Sequence, residues 1–108
     1  LTIALSYGGR RAITLAAKEL AYRACEGTIK LDEISEEAFE LVLETHGVPN
    51  PDLVIRTSGE KRISNFLLWE CAYSEFVFFD TLWPDFSSEH LTRAVQEYCN
   101  RERRFGAA

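Results

Sequence analysis

The sequence lacks any apolar run of the roughly 18 residues that a membrane-spanning helix requires, although 46% of its 108 residues are hydrophobic. It also lacks, at its start, the basic segment followed by an apolar segment that directs a protein to secretion. Both absences favour a cytoplasmic protein, and we expect that location. With 12 basic side chains against 17 acidic ones, the chain has too little positive charge for a general nucleic-acid binder, whose phosphate contacts need a basic face.

Cysteine is scarce and unpaired. The three cysteines, Cys25, Cys71 and Cys99, lie far apart, with no CxxC pair and no histidine close by. This spacing argues against a zinc site, and the apolar surroundings predict buried free thiols. His46 and His90 have no matching acid–base partner in the local sequence, so we interpret both as surface or capping residues.

The alternation of apolar segments with glycine and proline predicts an α/β fold, in which helices flank a mostly parallel sheet. The rough order is β-α-α-β-α-β-α. We predict strands over residues 1–5, 53–55 and 75–79, the second buried on both faces. Helices are predicted over residues 10–25 with an end at Gly27, from N-caps at Ser35 and Ser87, and over residues 66–73.

Residues 56–65, with the sequence RTSGEKRISN, are the main candidate site. They leave the carboxyl end of a predicted strand, which is where ligands bind in open α/β sheets. Arg56 and Arg62 supply forked donors for phosphate oxygens, and Gly59 allows a close backbone approach. From the residue types alone, a diphosphate site is only slightly favoured over an ordinary solvated turn.

Glu75 opens a predicted buried strand, where an unpaired carboxylate would be costly. An arginine partner and a Mg²⁺ ion are both suitable, and the residue pattern leaves the two open. The tail RERRFG, residues 101–106, leaves a second choice open. Its arginines either complement the dipole of a helix C-terminus or reach a phosphate on a partner subunit.

Several segments together resemble the signature blocks of the cis-prenyltransferase family, whose members include undecaprenyl diphosphate synthase. The blocks are DLVIRTSGE (52–60), RISNFLLW (62–69), AYSEF (72–76), WPDF (83–86) and RERRFG (101–106). They follow the order and spacing of the family, and the resemblance covers essentially all 108 residues.

The resemblance implies an enzyme that condenses isopentenyl diphosphate with an allylic diphosphate such as farnesyl diphosphate, with Mg²⁺ as cofactor. The product would be a long polyprenyl (undecaprenyl) diphosphate, the lipid carrier for cell-wall sugars. The implied substrate-binding residues are Arg56, Arg62, Ser64, Arg104 and Gly106, the last two serving the neighbouring subunit of a homodimer, and the implied metal ligand is Glu75. No nucleic acid is expected, and membrane association would be at most peripheral, through the lipid product.

Two departures from the family pattern are Ser6, where an asparagine is usual, and Lys61, where some members have a histidine near the metal. The phosphate loop of the family's first half, with its main catalytic aspartate, is not among these 108 residues. We therefore expect residues 1–108 to be the C-terminal portion of one cis-prenyltransferase domain, inactive alone and with its catalytic residue unassigned. The alternatives are an accessory or split subunit that binds a partner and a diphosphate, and an unrelated phosphate-binding domain.

Overall fold

The computed structural model describes residues 1–101. Its main elements are α1 (Gly9–Glu26), α2 (Glu36–Val42), β1 (Leu53–Arg56), β2 (Glu75–Phe78) and α3 (Ser88–Asn100), with short 3-10 turns at Leu31–Glu33 and Trp83–Asp85. Two compact units can be distinguished. The first comprises Leu1–Pro49 and Asn65–Trp69, and the second comprises Asn50–Ser64 and the chain from Glu70 onwards. In the part of the chain described, no helix is long and apolar enough to span a bilayer.

In the first unit, α1 buries one face built from small and apolar side chains. Ala12, Ala16 and Leu20 recur every four residues and are all buried, which is the spacing that predicts a helix packed on one side. The helix ends at Gly27, whose φ of +77° places it in the left-handed region and whose N–H donates to the carbonyl of Ala24. The predicted end of this helix is confirmed.

α2 packs against α1 and begins at the predicted cap. Ser35 Oγ accepts a hydrogen bond from the Ala38 N–H at 3.1 Å, which satisfies one of the free donors of a helix N-terminus. The ring of Phe39 lies 4.5 Å from that of Trp69. The indole N–H of Trp69 also donates to Glu40 at 3.2 Å, so residues 65–69 are part of the core of this unit.

The start of α1 is held by Asn65. The Gly9 N–H donates to the Asn65 carbonyl at 2.6 Å, and the Arg10 N–H donates to Asn65 Oδ1 at 2.8 Å. A Cβ atom on Gly9 would lie 2.7 Å from Cγ of Leu68, so only glycine allows this approach. Asn65, which the sequence placed in the candidate anion loop, therefore serves to cap α1.

The second unit contains the sheet. β1 and β2 run parallel, with Leu53 opposite Glu75 and Arg56 opposite Phe78. α3 packs against both strands, and Ala94 and Val77 are buried in this unit. This arrangement confirms the predicted α/β class with a parallel sheet. β1 is half-buried along its length, not buried on both faces as predicted, because only one strand pairs with it within residues 1–101.

The prediction of a strand over residues 1–5 is wrong. These residues are exposed, belong to no helix or strand, and have no strand partner within the described chain. A β-prone sequence forms a strand only where a neighbour supplies hydrogen bonds and packing. The apolar residues therefore show only that this segment is prone to form a strand. Within the described chain, no neighbouring strand pairs with it.

The prediction of a helix over residues 66–73 is also wrong, because the segment bends at residues 66–67 and forms turns over residues 68–73. Asn65 and Leu67 have φ values of +65° and +47°, which a right-handed helix excludes. The bonds of Asn65 to α1 and of Trp69 to α2 hold this path. Long-range contacts here override the local helical propensity.

Two of the three cysteines were assigned to the wrong environment. Cys25 and Cys99 are exposed, and only Cys71 is buried. Burial raises the pKa of the Cys71 thiol, so this side chain behaves as a small apolar residue.

The interpretation of the histidines is confirmed: His46 is exposed, and His90 accepts a bond from the Ser87 N–H at the start of α3.

Candidate anion-binding site

The candidate loop begins where β1 ends. Arg56 is the last residue of β1 and lies opposite Phe78, the last residue of β2. Because the strands are parallel, the segments that follow them leave from the same edge of the sheet, the edge at which α/β proteins bind ligands. The Phe79 N–H donates to the Arg56 carbonyl at 2.9 Å, which extends the pairing past the end of the strands.

Backbone hydrogen bonds fix the first half of the loop. The Ser58 N–H donates to the Thr81 carbonyl at 2.8 Å, and the Gly59 N–H donates to the Phe79 carbonyl at 2.9 Å. Ser58 and Gly59 have φ values of +65° and +67°, so two consecutive left-handed residues turn the chain back toward Arg62. The turn is thus set by residues 79–81 and does not depend on bonds within the loop alone.

Gly59→Ala tests whether this turn is required. A left-handed alanine is strained by about 1–2 kcal/mol, and its Cβ would lie 3.3 Å from Asp80 Oδ1. We expect the free energy of unfolding, measured by chemical denaturation, to fall by about 1–2 kcal/mol. We also expect weaker binding of inorganic diphosphate, measured by calorimetry. Gly47→Ala is the control, because Gly47 has a φ of +89° and a Cβ atom added to it would meet no neighbour within 4 Å. The Gly47→Ala variant should lose stability but bind inorganic diphosphate as the unaltered chain does. If both variants bind diphosphate equally well, the turn at Gly59 is not required for binding.

The structure brings the two predicted arginines of the loop together. A guanidinium N–H of Arg56 donates to the backbone carbonyl of Arg62, which closes the loop across residues 56–62. Arg62 itself forms an ion pair with Glu60, their side chains being 67% and 38% exposed. Exposed pairs of this kind contribute little, about 0–1 kcal/mol. Breaking the pair of Arg62 and Glu60 would therefore cost little free energy.

Donors remain for a ligand at this loop. A guanidinium carries five N–H groups, and the bond from Arg56 to the Arg62 carbonyl uses a single nitrogen, Nη1. Ser64 is exposed two residues after Arg62, with a φ of +49°. Lys61 is exposed as well, so the local charge at this edge is positive despite the acidic composition of the chain.

Glu75 lies at the other end of the sheet. It is the first residue of β2 and is opposite Leu53, so three residues of strand, about 10 Å, separate its level from that of Arg56. Its Oε2 accepts a bond from Arg101 Nη1 at 3.1 Å. Arg101 is thus the arginine partner that the sequence had given as one of two alternatives for Glu75. Glu75 does not lie beside the loop arginines, Arg56 and Arg62.

Arg101 forms hydrogen bonds with three partners. Besides Glu75, it donates to the Phe76 carbonyl at 2.7 Å and pairs with Glu97 one turn earlier on α3. The hydrogen bonds that Arg101 donates to Glu97 first, and then to Glu75, raise the pKa of its guanidinium above the ordinary value. In the sequence this arginine belongs to a basic tail, and the signal that pointed to its role was the need of Glu75 for a cationic partner. Arg104 and Gly106, the other tail residues predicted to bind substrate, lie outside the described residues.

The environment of Glu75 suits one ligand of a magnesium ion. Mg²⁺ takes one or two protein carboxylates and completes its shell with phosphate and water oxygens. The side chain of Glu75 is 24% exposed, and Arg101 orients it through Oε2, as hydrogen bonds commonly orient metal-binding carboxylates. Residues 1–101 contain no group of three or more acidic, histidine or cysteine side chains that could hold a metal ion together.

Comparison with known proteins shows which family the chain resembles. Residues 1–106 match the undecaprenyl diphosphate synthase family model. The chain is 55% identical over 106 residues to the ditrans,polycis-undecaprenyl-diphosphate synthase ((2E,6E)-farnesyl-diphosphate specific) of Micrococcus luteus, covering 98% of this chain and 43% of that protein. It is 52% identical over 106 residues to the isoprenyl transferase of Bacillus subtilis, covering 98% of this chain and 41% of the relative.

The fold has a counterpart among solved structures. The crystal structure of lavandulyl diphosphate synthase from Lavandula x intermedia, in complex with dimethylallyl diphosphate, superposes with a TM-score of 0.91 and 43% identity. The match covers 95% of this chain and 44% of that one. The chain also spans less than half the length of the curated relatives it matches. By its sequence and its fold, the chain belongs to the undecaprenyl diphosphate synthase family of cis-prenyltransferases.

Proposed function

We propose that this chain takes part in cis-prenyl chain elongation, in which isopentenyl diphosphate is condensed with an allylic diphosphate such as farnesyl diphosphate to give a long polyprenyl diphosphate. The observation that carries the proposal is the loop that Arg56 and Arg62 close at the carboxyl edge of the sheet. In a member of this family, a fixed turn with two arginines fits a diphosphate better than it fits a neutral ligand.

Arg56, Arg62 and Ser64 would bind the diphosphate of isopentenyl diphosphate. Arg56 would use its remaining guanidinium donors, Arg62 would exchange Glu60 for the ligand, and Ser64 would add a hydroxyl donor. Holding this diphosphate fixes the position of the double bond that attacks the allylic carbon. Such orientation of two reactants is a major source of rate acceleration. The residues assigned here bind and orient; none of them is assigned to remove the proton.

Glu75 would supply one carboxylate oxygen to Mg²⁺. The bound ion would neutralise charge on a diphosphate as the bond to carbon breaks. Arg101 would fix the orientation of Glu75 through Oε2 and balance its charge while the metal is absent. The 10 Å or so between the levels of Glu75 and Arg56 along the strands means that the two residues would act on different parts of the site.

A homodimer is the proposed assembly, with Arg104 and Gly106 of one subunit completing the diphosphate site of the other. Residues 66–83 are the proposed interface. Within this range, Tyr73, Leu82 and Trp83 of the second unit are exposed, and large apolar side chains of this kind commonly mark protein contacts. The pair of Trp83 and Phe86 rings, stacked at 5.6 Å, would give that surface a rigid aromatic part.

The direct test is incorporation of radiolabelled isopentenyl diphosphate by the complete gene product, with farnesyl diphosphate and Mg²⁺. We expect a long polyprenyl diphosphate, formed only with the metal. No metal-dependent incorporation would reject the proposal and favour the accessory-subunit alternative. The 108-residue chain assayed alone should be inactive; activity restored by a separate N-terminal polypeptide would identify a split enzyme.

A further inference from the structure

His90 links the start of α3 to the segment that follows β2. The backbone N–H of Ser87 donates to His90 Nδ1 at 3.0 Å. Since that N–H can only donate, Nδ1 accepts, and the neutral ring carries its proton on Nε2. Nε2 lies 3.1 Å from Thr81 Oγ1. The ring therefore donates to the Thr81 hydroxyl while it caps the helix.

Aromatic contacts fix the plane of this ring. Phe79 meets it edge to face at a centroid distance of 5.4 Å, and Phe86 stacks on it at 5.5 Å. The guanidinium of Arg93 covers the ring of Phe79 at 5.6 Å. The contacts of His90 with Phe79 and with Phe86 contribute about 0.5–1.5 kcal/mol each, which favours this orientation of the ring.

The segment that His90 holds is the one that carries the anion loop. His90 contacts Phe79 and Thr81 through their side chains. The backbone carbonyls of the same two residues accept the N–H bonds of Gly59 and Ser58. A shift of residues 79–81 would therefore move the turn that lies between the two loop arginines. His90 lies outside every sequence block that carries the family resemblance, and sequence reasoning assigned it only a capping or surface role.

We propose that His90 is a positioning residue for the diphosphate loop and acts through Thr81 and Phe79. The inference rests on the proposed function of the loop. Its effect should appear in the affinity for isopentenyl diphosphate and not in the chemical step, because His90 touches neither the arginines nor the ligand. A residue that only caps α3 would instead affect the stability of the helix.

Thr81→Val is the most selective test. It removes the hydroxyl that His90 reaches but leaves the helix cap and the aromatic contacts in place. In the complete gene product we expect the KM for isopentenyl diphosphate to rise about fivefold, the effect of one ordinary hydrogen bond, with kcat nearly unchanged. His90→Phe, which keeps a ring but loses the hydrogen bonds to Thr81 and Ser87, should raise KM at least as much. The double variant should resemble His90→Phe, because the two changes break the same link.

Matched controls are available. Thr92→Val removes a threonine hydroxyl that donates to the Ser88 carbonyl within α3, and His46→Phe changes the exposed histidine of the first unit. Both should leave KM unchanged. Since His90→Phe could also weaken folding, Thr81→Val decides: an unchanged KM in a folded Thr81→Val protein overturns the proposal.

Amide hydrogen exchange separates this inference from the proposed function. In Thr81→Val, the amides of Ser58 and Gly59 should exchange faster, while those of the first turn of α3 should not. Unchanged loop exchange overturns the link whatever the enzyme does. Faster loop exchange in a protein whose unaltered form binds no isopentenyl diphosphate would keep the link and reject the function of the loop.

Discussion

Arg56→Lys is expected to raise the KM for isopentenyl diphosphate by about 10- to 100-fold, the range for losing a hydrogen bond to a charged group. Arg56 bonds the Arg62 carbonyl and, in the proposed complex, the diphosphate as well. A lysine keeps the charge but presents a single ammonium, which cannot supply both sets of bonds in the planar arrangement of a guanidinium. Steady-state kinetics of the complete gene product with varied isopentenyl diphosphate measure the effect.

Arg23→Lys is the matched control for this change. Arg23 is an arginine of α1 that pairs with Glu19 at 2.8 Å and is about half exposed. Its replacement should leave KM and kcat as they are. If Arg56→Lys also retains its KM, charge alone suffices at this position and the forked geometry of the loop has no role in binding.

Glu75→Gln is expected to raise the Mg²⁺ concentration required for half-maximal activity by at least about tenfold, since even partners one step removed from a metal alter affinity by 10- to 100-fold. The amide keeps the size of the side chain and can still accept a bond from Arg101. It removes the negative charge that a hard cation prefers. The measurement is a titration of activity with Mg²⁺ at saturating substrate.

Glu97→Gln distinguishes metal binding from ion pairing. Glu75 and Glu97 are both carboxylate partners of Arg101, so either change takes one negative charge from the same arginine. Only Glu75→Gln should alter the Mg²⁺ requirement. Equal behaviour of the two variants would mean that Glu75 serves Arg101 alone and is not a metal ligand.

Much of the fold follows from local signals. Gly27 and Ser35 end and begin helices as predicted, because a left-handed glycine and a hydroxyl cap act on neighbouring residues. The two strands of the sheet also lie where short apolar runs predicted them. Residues 66–73 could not be predicted in this way, since their path depends on bonds from Asn65 to the distant start of α1.

Parts of the candidate site were accessible to sequence reasoning for the same reason. Arg56 and Arg62 are six residues apart in one short polar segment, which is why the sequence already grouped them, although it did not predict the left-handed turn at Ser58 and Gly59. The partner of Glu75 is Arg101, 26 residues later, and only the fold identifies it among the arginines of the chain. The role inferred for His90 depends on Thr81, which the sequence marks with no motif.

Ser6, where the family resemblance implied an asparagine, has an unusual backbone conformation. Its φ of +53° is in the left-handed region, which asparagine adopts more readily than serine does. An asparagine would therefore suit the backbone at this position, and Ser6 adopts this conformation at a small conformational cost.

The central claim is that the loop from Arg56 to Ser64 binds the diphosphate of isopentenyl diphosphate. A crystal structure of the complete gene product with isopentenyl diphosphate and Mg²⁺ tests it most directly. We predict diphosphate oxygens within hydrogen-bond distance of the guanidiniums of Arg56 and Arg62 and of the Ser64 hydroxyl, with Glu60 displaced from Arg62. A diphosphate bound elsewhere, with the pair of Arg62 and Glu60 intact, would contradict the claim.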